Sequence, residues 1–221
     1  MWLPDKIPIA VTGFRRSICV SLVRQGSAAS GHTCADFCNV PNAEIESTFK
    51  ANVVASGRRV TVSSLVSRAL QDQARLLLTR KADLERWNEA DQAHFARWFG
   101  TTSEAARETI YKRVRVLTRI NREYAVANFR FARDVEQGVF AFVHPNDPGK
   151  IFVAAQFVYA PFVGTNSRAG TVCQEMSHFA VAGGTRDFAY QPPACKRLAR
   201  SAPNMALYNA DNFEFWIEHA E

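Results

Sequence analysis

No apolar run in the chain reaches the roughly 18 residues that a membrane-crossing helix needs. The stretch from Ile7 to Val23 comes nearest, and Arg15 and Arg16 interrupt it. The opening Met1-Trp2-Leu3-Pro4-Asp5-Lys6 lacks the order of a signal peptide, in which basic residues precede an apolar stretch and then small residues. There is no internal repeat and no low-complexity segment, which excludes solenoid and linker-like chains. Cysteine is sparse. Cys19, Cys34, Cys38, Cys173 and Cys195 make an odd set, so at least one thiol is free and a disulfide-stapled scaffold is excluded. The expectation is a soluble protein with small buried thiols, acting in a reducing compartment.

What is present suits a packed domain. With 47% hydrophobic and 22% charged residues in 221, the chain has enough apolar material for one core, with or without an extension, and is not a disordered polymer. The net charge of +6 favours acidic partners. No motif interleaving aromatic and basic residues accompanies it, which argues against nucleic acid.

Residues 1–60 carry turn signals at Gly26-Ser27, Gly31-His32, Pro41-Asn42 and Gly57 and read as an N-terminal extension to a domain over 61–221. Within the extension, His32-x-Cys34-x3-Cys38 offers three ligand types at loose spacing, a weak zinc signal against the simpler reading of free thiols. From Val62 to about Lys81, Leu65, Val66, Ala69, Leu70, Leu76 and Leu77 recur at helical steps. A second helix lies within Trp87–Phe99, closed by Gly100. Thr101 with Glu104 predicts a capping box and a helix to about Arg122, with Ala106, Ile110, Val114 and Leu117 inward. Lys112, Arg115, Arg119 and Arg122 stripe its other side, either as a solvated face or as a docking surface for an acidic partner. Val139–Val143 and Ile151–Ala155 flank Asn146-Asp147-Pro148-Gly149 and predict a hairpin. Helices are expected over about 168–182, 192–201 and 204–219, with Pro192 and Pro193 in the first turn of the middle one.

The chemistry concentrates in Gln174-Glu175-Met176-Ser177-His178. A His-Glu-x-x-His helix places two imidazoles one turn apart to grip a metal, with the Glu as general base. Here the first His is Gln174. A Glu and a His three apart mean little alone. Nine residues after His178, however, Asp187 follows Gly183-Gly184, which can turn the chain back and present a carboxylate oxygen ligand. Tyr190 lies three residues further on.

These residues resemble the aspzincin metalloendopeptidases, deuterolysin and the fungal peptidyl-Lys enzymes, whose motif is His-Glu-x-x-His followed by Gly-Thr-x-Asp-x-x-Tyr. The chain reads Gln174-Glu175-x-x-His178, then Gly184-Thr185-x-Asp187-x-x-Tyr190. Phe157, Ala160-Pro161, Gly164–Ser167 and Gly170-Thr171 resemble the segment before the metal helix, Trp98–Gly100 has a counterpart, and Asn209-Ala210-Asp211-Asn212-x-Glu214 resembles the family's acidic motif. The resemblance spans about residues 60–221. It implies an α+β, zincin-like fold with a helical N-terminal half, a small β-sheet and an active-site helix. It implies Zn2+ on His178 and Asp187, with Gln174 at the position of a ligand His. It also implies Glu175 as the base and Tyr190 as the oxyanion donor. Asp211 and Glu214 would form an acidic pocket for the Lys side chain just after the scissile bond, with Phe140 against its stem. A solvated helix face is the plainer reading of Asp211 and Glu214. The expected substrate is a protein or peptide cut on the N-terminal side of Lys.

Gln174 leaves three readings open: a natural pseudopeptidase that binds Lys-bearing segments without cutting, weak ligation through the amide oxygen, or a substitution for His, which one base change produces. An amide oxygen is a poorer zinc donor than imidazole. His144, at the end of the hairpin, is the one candidate to replace the missing ligand. Gln191 stands where the family has Gly. The apolar strand region around Val153 lacks the cysteines of secreted members, which motivates the expectation of a bacterial effector or toxin delivered into a reducing compartment.

Overall fold

The computed structural model describes residues 52–55, 58–132, 135, 138–144 and 147–219. Most of the expected extension lies outside them, including Cys19 and the His32, Cys34 and Cys38 cluster. Two short strands, β1 (Asn52–Ala55) and β2 (Arg58–Thr61), pair antiparallel and lead into α1 (Val62–Arg86).

The Thr61 hydroxyl caps α1 by accepting from Ser64 N at 3.2 Å. The helix runs past the expected Lys81. Leu84 continues the buried stripe of Leu65, Val66, Ala69, Leu70 and Leu77, and Lys81 pairs with Glu85 one turn on. It ends at Trp87, whose left-handed backbone (φ 49°) closes the last turn. Asn88 and Asp91 then form a reciprocal capping box that starts α2 (Glu89–Phe99). Gly100 closes α2 with φ 70°, and a Cβ there would lie 1.8 Å from the Ala199 carbonyl oxygen, so only glycine fits.

Helix α3 (Glu104–Glu123) is capped by Ser103, not Thr101. Ser103 has the extended backbone of a cap and accepts from Ala106 N at 3.3 Å, while Thr101 accepts from Ser103 N. Ala106, Ile110, Val114 and Leu117 are buried as expected, and so is Arg113. Lys112, Arg115, Arg119 and Arg122 are exposed, with Lys112 beside Glu108 at 3.3 Å.

The sheet holds β3 (Phe129–Phe131), β4 (Ala141–Val143) and β5 (Ile151–Val153) in the order β3-β5-β4. The expected hairpin is there, shorter at both ends, with Phe142 opposite Phe152. Strand β3 adds to β5 in parallel. A short helix, α4 (Ala155–Tyr159), takes the residue where strand was expected to continue.

Next come α5 (Arg168–Ser177), α6 (Pro192–Ser201), α7 (Pro203–Ala206) and α8 (Ala210–Glu218). Both prolines sit in the first turn of α6. Helix α5 stops short of the expected residue 182, because Phe179 turns extended and Thr185 N reaches back to the Ser177 carbonyl at 3.0 Å. The expected helix 204–219 is broken at 207–209, where the chain pairs with Arg186. Arg186 N donates to Tyr208 O at 2.8 Å and Ala210 N donates to Arg186 O at 2.9 Å.

The fold is α+β, as expected. Every residue of α5 is buried, between α8, α1, α3 and the β4 edge. An aromatic cluster from α2 and α8 backs this central helix, with Phe95 and Phe99 at 4.6 Å and Trp98 and Phe215 at 5.4 Å. The C-terminal end of α8 is fastened by charge. The Arg80 guanidinium caps the C-terminal carbonyls of α8, at Ile217 O (3.2 Å) and His219 O (2.6 Å).

Candidate metal centre

The two segments of the sequence motif meet around His178. This residue caps the C-terminus of α5 and is 1% exposed. A carbonyl oxygen can only accept, so the 2.8 Å contact between His178 Nδ1 and Thr185 O places the ring proton on Nδ1. Nε2 is left as a lone pair with no hydrogen-bond partner, and it faces Asp187 Oδ1 at 3.6 Å. That is too long for a hydrogen bond. Two donors sharing a tetrahedral zinc, with bonds of roughly 2.0–2.2 Å, stand about 3.4 Å apart. The spacing therefore fits two ligands of one metal. Burial, first, and the positive charge of Arg113 push the imidazole pKa below its ordinary value, which favours the neutral, metal-binding ring.

Gln174, expected at the position of a ligand His, lies one turn earlier on α5 and is 1% exposed. Its Nε2 donates to Asp211 Oδ1 at 3.0 Å. A carboxylate only accepts, so this contact fixes the amide with its nitrogen towards Asp211 and its oxygen as the remaining lone-pair atom. Among the described residues, no three His, Cys, Asp or Glu side chains converge as a metal-binding group. Glu175 is buried beside Gln174 on α5. Tyr190 is half-buried at the end of the loop carrying Asp187.

That loop, 183–191, is pinned by residues of the acidic motif. Asn209 Oδ1 accepts from Phe188 N at 2.7 Å and Ala189 N at 3.1 Å, and its Nδ2 donates to Ala189 O at 2.9 Å. Asn212 accepts from Asn209 and donates to Trp98 O and Cys195 O, tying the loop to α2 and α6. Asp211 Oδ2 accepts from Gln191 N at 3.0 Å, just after Tyr190. Gln191 adopts φ 68°, ψ 148°, a region glycine occupies without strain, which accounts for glycine at this place in the aspzincin motif.

Asp211 and Glu214 are fully buried on α8, so the solvated-face reading of them is excluded. Phe140 is half-buried just before β4. His144 is drawn onto the sheet, where its ring meets the edges of Phe142 and Phe152. Cys173 and Cys195 are buried and not joined in a disulfide, and burial pushes the Cys173 thiol well up.

The sequence motifs contain Thr185, Asn209 and Asn212 but gave them no role, and sequence reasoning missed Arg113 and Glu218. Glu218 lies a helical repeat beyond Asp211 and Glu214, a spacing visible in the sequence. Its carboxylate accepts from Asn166 N (2.9 Å), Ser167 N (2.6 Å) and Ser167 Oγ (2.8 Å) and so fastens the N-terminus of α5. A Cβ at Gly170 would sit 1.9 Å from Glu218 Oε1, so glycine is needed for this approach.

Comparison with known proteins follows the same residues. The family model described as lysine-specific metallo-endopeptidase, aspzincin M35, matches residues 85–218. A peptidyl-Lys metalloendopeptidase of Armillaria mellea is 34% identical over 131 residues, which cover 59% of this chain and 36% of that protein. An extracellular protease of Aeromonas hydrophila is 44% identical over 84 residues, 38% of this chain and 24% of that protein. A peptidyl-Lys metalloendopeptidase of Grifola frondosa is 46% identical over 82 residues, 37% of this chain and 24% of that protein. The chain thus spans about a quarter to a third of the length of these relatives. Among solved structures, a zinc peptidase from Grifola frondosa superimposes with a TM-score of 0.63 at 30% identity, covering 71% of this chain and 93% of that one.

Proposed function

Because the chain belongs to the aspzincin family of lysine-specific metallo-endopeptidases, we propose that its cleft is built for zinc-dependent hydrolysis of peptide bonds on the N-terminal side of Lys. Gln174 weakens or abolishes that activity in the chain as it stands. The single observation that carries the reading is the buried His178 Nε2 facing Asp187 Oδ1 at 3.6 Å, on the helix that bears Glu175.

His178 and Asp187 would hold the zinc, with the Gln174 oxygen as a poor third donor. Bound zinc supplies Lewis acidity to the scissile carbonyl. The remaining work falls to the chain's own groups. Glu175 takes a proton from the attacking water and later passes it to the leaving amine. The Tyr190 hydroxyl donates to the developing oxyanion. Asp211 and Glu214 receive the Lys ammonium, and Phe140 packs along its methylene stem.

A second reading has its own support. The Gln174 amide is buried and bonded to Asp211, a settled contact suited to a binding module that captures Lys-bearing segments without cutting them. A cleavage assay on a Lys-containing peptide, with product termini read by mass spectrometry, separates the two. The Q174H chain is expected to cut before Lys and the parent to cut little or not at all. A Q174H chain that fills with zinc, binds the peptide and still leaves it intact would falsify the peptidase reading and favour the binding module.

A further inference from the structure

Arg113 is 2% exposed on the inner face of α3. Its Nε donates to Ala182 O at 3.1 Å and its Nη1 to Leu207 O at 2.8 Å. The guanidinium lies over Phe213 at 5.3 Å and Tyr208 at 5.7 Å. Nη2 has no hydrogen-bond partner among the described residues, and no carboxylate there stands within ion-pair distance of the group. Burial brings its pKa down to about 10. Taking a cation out of water without a counter-ion is costly, and an apolar side chain of similar length would fill the space without that cost.

An apolar side chain could not, however, fasten the two carbonyls. Ala182 O ends the turn before Gly183-Gly184, the root of the loop that carries Asp187. Leu207 O precedes Tyr208, whose carbonyl receives Arg186 N. One guanidinium therefore bridges the base of both arms that meet at Arg186, one residue from Asp187. We propose that Arg113 is a positioning residue of the metal centre, setting the 183–187 loop so that Asp187 stands opposite His178 and Thr185 O stays on the His178 ring. The zinc arm of this inference rests on the metal-centre reading, while the imidazole arm does not.

The test uses the full chain with R113M and R113K, each alone and combined with D187N, in both the parent and Q174H forms. The metal-free readout is the slowly exchanging His178 Nδ1 proton in the proton NMR spectrum. The second readout is zinc affinity by chelator competition. R113M is expected to lose the imidazole signal and to weaken zinc binding to Q174H by about 10-fold or more. R113K, which can hold one carbonyl, falls between. With D187N present, the further loss of zinc affinity should be smaller, because part of the effect runs through that carboxylate and only the part through the His178 ring remains. Retention of the imidazole signal with zinc affinity within about two-fold overturns the proposal, as does an equal loss with and without D187N. If no form, Q174H included, takes zinc, the metal-centre reading fails and the imidazole signal alone decides on Arg113. If R113M does not fold, R113K decides by the same criteria.

Discussion

On one side of the proposed metal centre, His178 and Asp187 face each other across 3.6 Å, the His178 ring held by Thr185 O of the same loop that carries Asp187, and that loop pinned by Asn209. On the other side, Gln174 turns its amide nitrogen onto Asp211. The supports are the same kind on both sides: buried polar groups from α8 and the loop, none left to solvent. Only the side chain at 174 differs in kind. On the proposed reading, the groups that hold His178, Gln174 and the 183–191 loop are Thr185, Asn209 and Asp211, which do not depend on a metal, so the scaffold can stay intact whichever side chain stands at 174.

The sharpest way to break this contrast is to repair the weak side. Q174H should tighten zinc binding by more than ~100-fold, since even loss of a supporting partner commonly costs ~10–100-fold. Isothermal titration on parent and variant reads this directly, and equal affinities would mean that the two sides do not differ in the way described. Removing the loop's support comes next. N209A removes the partner of two backbone N–H groups in the loop and leaves Ala189 O only the weak Cys195 thiol donor, and should cost about 3 kcal/mol in urea unfolding. If stability is unchanged, the loop is not held by Asn209.

A smaller effect is expected at the foot of α5. Glu218 has a pKa raised well above the carboxylate range, by burial first and by the Glu214 charge second. The folded chain therefore holds that proton more tightly than the unfolded one. The associated stability is full below about pH 4.5, the ordinary value, and is lost as pH rises through the folded value. E218Q should flatten that part of the melting-temperature profile, while costing about 1–2 kcal/mol from the weakened cap. An unchanged slope would remove Glu218 as its source. The smallest effect concerns Gln191. Q191G relieves its strained backbone and should stabilise the fold by about 1 kcal/mol, measured by chemical unfolding. Destabilisation would show that the Gln191 side chain matters more than its backbone.

The parts of this molecule legible in its sequence are those set by local rules. Apolar periodicity marked α1 and the inner face of α3, and the turn residues marked the β4–β5 hairpin. The prolines marked the start of α6. The family was legible because the residues of its motif lie in one short stretch, and the matching family model bears it out. What sequence reasoning lost depends on distant partners. The expected helix over 204–219 breaks because Tyr208 and Ala210 are needed by Arg186, some twenty residues upstream. Helix α5 ends early because Thr185 claims the Ser177 carbonyl. Arg113 was hidden by its neighbours, since Lys112 and Arg115 make it look like one more member of a solvated stripe. Asp211 and Glu214, weighed against a solvated face, proved fully buried because the whole of α8 packs inward.

The most direct test of the central claim, an intact ligand scaffold with one altered ligand, is zinc per chain by elemental analysis of parent and Q174H purified side by side without chelator. The claim predicts close to one zinc on Q174H and far less on the parent. A Q174H chain with no more zinc than the parent would contradict it, and the His178–Asp187 pair would then be a structural contact rather than half of a metal centre.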